Sequence, residues 1–152
     1  MKIFSSAFTD GGMIPSSYTC DGENVSPQLQ WLDVPPKTVT LALIADDPDA
    51  PVGIWVHWVV YNIPPAATGF AEAVPVDKKL SNGAIQGKND FHQIGYGGPC
   101  PPGGTHRYYF KLYALDAKVS LPPGAAKRDL VNAMSGHILQ ETQMMGKYKR
   151  QR

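Results

Sequence analysis

An excess of charge of either sign is missing from this 152-residue chain: 14 Lys and Arg stand against 13 Asp and Glu, a formal net charge of +1. With no basic surplus to neutralise a phosphate backbone over several contacts, nucleic acid is excluded as a partner class. Charged residues of all kinds reach only 18%, below the ~25% of ordinary soluble domains, which rules out a charge-rich coil or a disordered polymer. Long apolar runs are absent as well. No window approaches the ~18–20 apolar residues of a membrane span, and Met1-Lys2-Ile3-Phe4-Ser5-Ser6 lacks the apolar stretch of a signal peptide. A cytoplasmic protein without integral membrane association is expected. Cysteine is down to Cys20 and Cys100, a spacing that is neither a zinc CxxC nor a disulfide framework. Whether the two approach each other and form a single clip stays open at this stage. Repeats, low-complexity tracts and like-charge blocks are also lacking, so neither a solenoid nor a linker is indicated.

What the chain does have is glycine (15) and proline (14), about one residue in five against an average of roughly 12%, the composition of many turns and short strands. Its length fits one domain, residues 1–152, with a single core. Strand-like runs rich in β-branched and aromatic residues occupy Thr38–Ala45, Trp55–Ile63 and Arg107–Asp116, each bounded by Pro, Gly or Asp. The Gly- and Pro-dense segments Pro64–Ser81 and Gly87–Thr105 read as long loops, where function often sits. After Pro122-Pro123, apolar residues at helical spacing predict one helix from about Ala126 to Ala133 and a second ending near Gly146. Strands followed by terminal helices, without βαβ alternation, point to a mostly β, α+β fold built on an antiparallel sheet.

Three places concentrate chemistry. Asp46-Asp47-Pro48-Asp49-Ala50-Pro51 follows directly on the first strand, and its prolines hold the preceding residues extended, so the carboxylates are expected on a rigid turn at a strand end. His57 lies in Trp55–Ile63, where period-two alternation groups it with Val59, Tyr61 and Ile63 on an apolar face away from bulk water. In the third run, His106, Tyr108, Phe110 and Leu112 share one face, while Arg107 and Lys111 mark the outward one. If these strands adjoin, two imidazoles, a phenol and nearby carboxylates on apolar strands are expected to form a small polar pocket. A carboxylate bonded to one imidazole nitrogen favours the protonated ring and leaves the other N–H for an anion. The Tyr108 hydroxyl and the N–H groups of a Gly-rich loop add donors, so a phosphate or carboxylate can be held without Lys or Arg. Exposed rim carboxylates would receive a cation, and a zwitterionic headgroup satisfies both.

Competing chemistries fit less well. Gly98-Pro99-Cys100-Pro101-Pro102-Gly103-Gly104-Thr105 has P-loop glycine spacing, but Gly104 stands where the lysine is required. His57, His106 and an Asp lack the local spacing of a metal site, and no GxSxG elbow supplies a serine nucleophile. His57 and His106 as an acid and base pair would support hydrolysis only with a nucleophile or metal that no motif provides. His92 and His137 read as loop and helix residues of no special role.

Taken together, Asp47-Pro48-Asp49-Ala50-Pro51, Val56-His57-Trp58 through Asn62-Ile63-Pro64, Gly97-Gly98-Pro99, and Thr105-His106-Arg107-Tyr108 resemble the motifs of the phosphatidylethanolamine-binding protein family. Tyr18–Pro27 and Gly136-His137-Ile138-Leu139 are similar to its short prokaryotic, Raf kinase inhibitor-like branch. The resemblance covers nearly the whole chain. It implies a large antiparallel sheet facing a smaller one, with C-terminal helices. It also implies a non-enzymatic anion pocket, for phosphate or a phosphorylethanolamine-like headgroup, formed by Asp47, Asp49, His57, His106 and Tyr108 with Pro99 in its wall, Trp55 and Trp58 packing nearby, and no cofactor. A regulated protein partner and a homodimer are further implications of the resemblance alone. The rival it brings is inhibition of a protease or kinase through surface loops, which loss of His106 would leave largely intact.

Overall fold

The computed structural model describes residues 1–151. These residues form two antiparallel sheets and one α-helix, in the order β1 (Lys2–Phe4), β2 (Leu29–Leu32), β3 (Thr40–Ala50), β4 (Gly53–Ile63), β5 (Gly69–Phe70), β6 (Ile85–Gln86), β7 (His106–Leu115), α1 (Lys127–Met134) and β8 (Ile138–Tyr148). The small sheet runs β1-β2-β5 and the large one β6-β4-β3-β7-β8. Among the described residues no helix is long and apolar enough to cross a membrane.

Strands β3 and β4 of the large sheet are buried on both sides over most of their length and read as near-continuous apolar runs, whereas β7 keeps its alternation. Leu41, Leu43, Trp58, Val60, Phe110 and Leu112 pack towards Ile3, Leu29, Trp31 and Phe70 of the small sheet. Ala42, Ile44, Val59 and Tyr61 face the other way, onto Leu130 and Met134 of α1 and Val119 and Ala125 before it. Asp46, on the α1 side and almost fully buried, is matched by two cations, Lys127 at 2.7 Å and Lys111 at 3.1 Å. Lys111 is therefore half-buried against a carboxylate, while Arg107 is exposed as expected.

Three sequence expectations need correction. Of the two C-terminal helices only the first forms. The second stretch is strand β8, paired residue for residue with β7 from His106↔Tyr148 to Ala114↔Gln140, and Gly136, at φ 81°, turns the chain out of α1. Nine consecutive pairings with a buried strand outweigh a weak local helical pattern. Second, Asp46 to Ala50 belong to β3 itself and not to a turn. Pro48 is tolerated because it falls where the ladder is irregular, between Asp47↔Trp55 and Ala50↔Gly53, and needs no N–H there.

The third correction concerns the face of His57. The β3–β4 register steps from Ala45↔Trp58 to Asp46↔Val56, leaving His57 as an extra residue. A second step, from Leu41↔Ile63 to Leu43↔Val60, sets Tyr61 and Asn62 against Ala42, with Asn62 at φ 54°. Each β-bulge shifts the alternation by one. Val59 and Tyr61 consequently face α1, whereas Ile63 faces the small sheet and His57 turns to Tyr108 of β7. The expectation that His57 leaves bulk water holds, with 4% of its surface exposed.

One edge of the large sheet is clipped by the N-terminal segment. Gly11 N–H donates to Met145 O, Ile14 N–H to Lys147 O, and Lys147 N–H to Gly12 O. The Tyr148 hydroxyl donates to Asp21 at 2.5 Å.

Candidate functional site

At the end of the large sheet where β3, β4 and β7 meet the long loop 87–105, the side chains enclose a half-open cavity of about 260 Å³. Its polar residues are Asp47 from β3, His57 from the β4 bulge, and His106 and Tyr108 from one face of β7. Trp55, Phe91, Cys100, Pro101 and Pro102 form apolar walls, and Ala50, Pro51 and Val52 of the β3–β4 hairpin form the rim. Among the described residues no lysine or arginine lines it.

Asp47, His57 and His106 each have a defined partner on one side. The Asp47 carboxylate accepts from His106 Nδ1 at 2.7 Å, both residues being buried. That bond fixes the ring so that Nε2 is the nitrogen left for the cavity, a donor when the imidazole is protonated. His57 Nδ1 lies 2.6 Å from the carbonyl of Gly97 and must carry the proton, since a carbonyl only accepts. Burial pushes the His57 pKa down, against the pull of the Gly97 carbonyl and of Asp47, so the ring is held neutral with Nε2 as an acceptor. Tyr108 stands edge-on to His57, with ring centroids 5.2 Å apart, and stacks beside His106 at 6.4 Å. Its hydroxyl is cut off from bulk water and has no hydrogen-bond partner. Desolvation holds this phenol protonated, well above the ordinary tyrosine range.

The loop that forms the far wall is tied down, not loose. Asn89, 2% exposed, accepts from the N–H groups of Phe91 and Gln93 and donates to Gly95 O. Phe91 is thereby set against both Trp55 and His57, at centroid distances of 5.6 and 5.4 Å. Further along, Gly98 N–H donates to Asn24 Oδ1, Cys20 N–H to Pro99 O, and the Tyr96 hydroxyl to Tyr18 O. A Cβ on Gly98 would come within 2.3 Å of the Tyr18 carbonyl, so only glycine allows this approach. Cys20 and Cys100 are joined by a disulfide with 5.4 Å between their Cα atoms, which settles the question the sequence left open.

Of the residues singled out from the sequence, Asp47, His57, His106 and Tyr108 come together around one cavity. Asp49 and Pro99 do not line it. Asp49 instead takes the Arg107 guanidinium through both oxygens and the Arg107 N–H as well, bonds that hold its pKa down at about 2. It fixes β3 to β7 just behind the site. Pro99 is buried one step away and positions Cys100 to Pro102. The rim is not acidic: Asp46 and Asp47 are both buried, so the exposed carboxylates foreseen for a cation are not there. Trp58 is core, donating to Gln86, while Trp55 is cavity wall. His137 follows α1 and bonds Asp116, and His92 sits in the loop at φ 62°. Sequence reasoning missed Phe91 and the Gly97 carbonyl; only Gly97-Gly98-Pro99 hinted at the latter.

The model of the phosphatidylethanolamine-binding protein family matches residues 4–149. The chain belongs to that family. A UPF0098 protein of Methanothermobacter thermautotrophicus is 55% identical over 150 residues, covering 99% of both chains. Another, from Aquifex aeolicus, is 48% identical over 153 residues, covering 99% of this chain and 89% of that one. Among solved structures, the phosphatidylethanolamine-binding protein homologue CT736 of Chlamydia trachomatis superposes with a TM-score of 0.91 at 41% identity, covering 99% and 97% of the two chains. Escherichia coli YbcL, described as a member of the mammalian family, gives 0.90 at 30% identity over 99% and 98%. These likenesses establish the fold and the family, and with them the two facing sheets. Among the described residues no three of His, Cys, Asp and Glu are grouped to hold a metal ion.

Proposed function

We propose that the cavity binds a small anion of the phosphate or phosphorylethanolamine-headgroup type, as a binding module and not as an enzyme. The observation that carries this reading is the buried His106–Asp47 pair, whose remaining ring nitrogen has no protein partner in an otherwise apolar hollow. When the ring is protonated, Asp47 offsets its charge and Nε2–H is left for an anionic oxygen. The partnerless Tyr108 hydroxyl is a second donor beneath the same surface. Binding without turnover is favoured because, among the described residues, the cysteine in the wall is locked in a disulfide and no serine or threonine lines the cavity. The cytoplasmic address expected from the sequence belongs to this proposal too, with one condition from chemistry. Disulfides persist in oxidising compartments or inside hyperthermophiles and are otherwise rare in the cytosol.

The test is an NMR titration of the four histidine rings with phosphate and phosphorylethanolamine, in the wild type and in His106→Ala. Saturable shifts at His57 and His106, lost in His106→Ala, are expected. An absence of shifts at millimolar ligand would overturn the pocket and shift the function to the surface loops.

A further inference from the structure

We propose that the cavity selects an acid phosphate monoester, an anion that brings its own P–OH donor, and that His57 Nε2 is the specificity-determining acceptor for that hydrogen. This rests on the anion-binding reading above and narrows it.

The argument is one of complementary hydrogen-bond roles. The Gly97 carbonyl, 2.6 Å away, takes the Nδ1 proton, so Nε2 of a neutral His57 presents a lone pair. Among the described residues no hydrogen bond reaches that lone pair, and the nitrogen is not one of the partnerless side-chain atoms cut off from solvent. Burial works in the same direction by opposing protonation of the ring. The titratable groups around it are Asp46 and Asp47 on β3, Asp90 in the loop, and His106 and Tyr108 on β7. Of these, Asp46 is turned away to its two lysines, Asp47 is engaged by His106, and Asp90 accepts the Val56 N–H. The three carboxylates are thus engaged elsewhere, and no hydrogen bond joins His106 or Tyr108 to the His57 ring.

A phosphate diester or a fully ionised monoester would thus set a bare oxygen against an imidazole lone pair, two acceptors facing each other in a site lined by apolar walls. A singly protonated monoester avoids this. Its P–OH donates to His57 Nε2 while an anionic oxygen accepts from His106. Mispaired polar groups at a buried site cost more than a missing contact, which is how hydrogen-bonding sites discriminate strongly. The apolar walls would otherwise favour the diester, which buries one more alkyl group.

Methyl phosphate and dimethyl phosphate make the decisive pair, because at pH 5.5 both are predominantly monoanions and only the first carries P–OH. Calorimetric or NMR titration of the full chain is expected to give methyl phosphate the tighter binding by roughly tenfold or more. The preference should shrink at pH 8.5, where methyl phosphate is a dianion, and should fall to about one in His57→Phe. Equal affinities in the wild type at pH 5.5 would overturn the proposal while leaving the anion cavity standing. A preference that persists unchanged in folded His57→Phe would also overturn the role of His57. Should that variant not fold, the wild-type ratio at the two pH values decides alone. Failure of both esters and of phosphorylethanolamine to bind would overturn the cavity reading itself.

Discussion

Replacing Tyr108 by phenylalanine should make the empty protein more stable and the ligand-bound protein less so. Tyr108 is 2% exposed, and its hydroxyl is one of two buried side-chain groups left without a partner among the described residues. Leaving such a group unsatisfied costs roughly 1–3 kcal/mol. Taking the low end, because the void left by one oxygen offsets part of the gain, Tyr108→Phe should raise the unfolding free energy by about 1 kcal/mol, or Tm by about 3 °C for a chain of this size. A saturating anion at a hundred times its Kd adds about 2.7 kcal/mol to the wild type. If the variant binds tenfold more weakly for want of one charge-assisted bond, the same concentration adds only about 1.4 kcal/mol. The gap of about 1 kcal/mol therefore closes and reverses slightly in favour of the wild type. Urea unfolding with and without phosphorylethanolamine reads both terms, provided the m-value is unchanged. A variant destabilised by 1 kcal/mol or more without ligand would refute the reasoning, since the hydroxyl would then have a partner in the native state.

Two further outcomes are expected. The Cys20–Cys100 bond spans 80 residues, for which the chain-entropy argument gives about 4.5 kcal/mol. A double alanine variant should lose a large part of that in urea, and a loss under 1 kcal/mol would show that the hydrogen bonds from Asn24, Cys20 and Tyr96 hold the loop by themselves. For pH, the native state resists protonation of His57 while the unfolded chain accepts a proton near 6.5. Stability should therefore be level above that value and fall as pH drops below it, by up to about 1.4 kcal/mol per unit until the native pKa is passed. Asp49, held at about 2, contributes a separate loss only below its ordinary 3.8. In His57→Gln the decline between pH 6.5 and 5 should flatten, and an unaltered slope would assign it to other histidines.

Strand β7 was fully legible because nothing interrupts its alternation: His106, Tyr108, Phe110 and Leu112 are buried in sequence order and Arg107 is out. Strand β4 was legible as a strand but not as a set of faces, since the extra residues at His57 and Asn62 are fixed by pairing with β3, which no local pattern records. Strand β8 was misread for a related reason. Its N-terminal half is an exposed strip whose residues carry no buried alternation, and Ile138 and Leu139 remain in water, so only its register with β7 makes it a strand. Around the cavity, the residues that carry proton chemistry stood out by type. Phe91 did not, because its place depends on the Asn89 side chain folding the loop back on itself. Asp49 stood out by type as well, yet its partner is Arg107 and not the cavity.

The clip between the N-terminal segment and β8 bears on how the protein is made. Asp10 receives the Met145 N–H across 135 positions, and Asp21 receives the Tyr148 hydroxyl across 127. A growing chain that has just released β7 already holds β3 and β4 and can bury most of the apolar core. Residues 10–14, made among the first, have no strand to lie against until residues 145–147 emerge. This early stretch is thus among the last to be ordered, and contacts of such long range are slow to form. A ribosome stalled before β8 would display a nearly finished sandwich with its large sheet open along one flank, the state most exposed to capture by chaperones or by neighbouring chains.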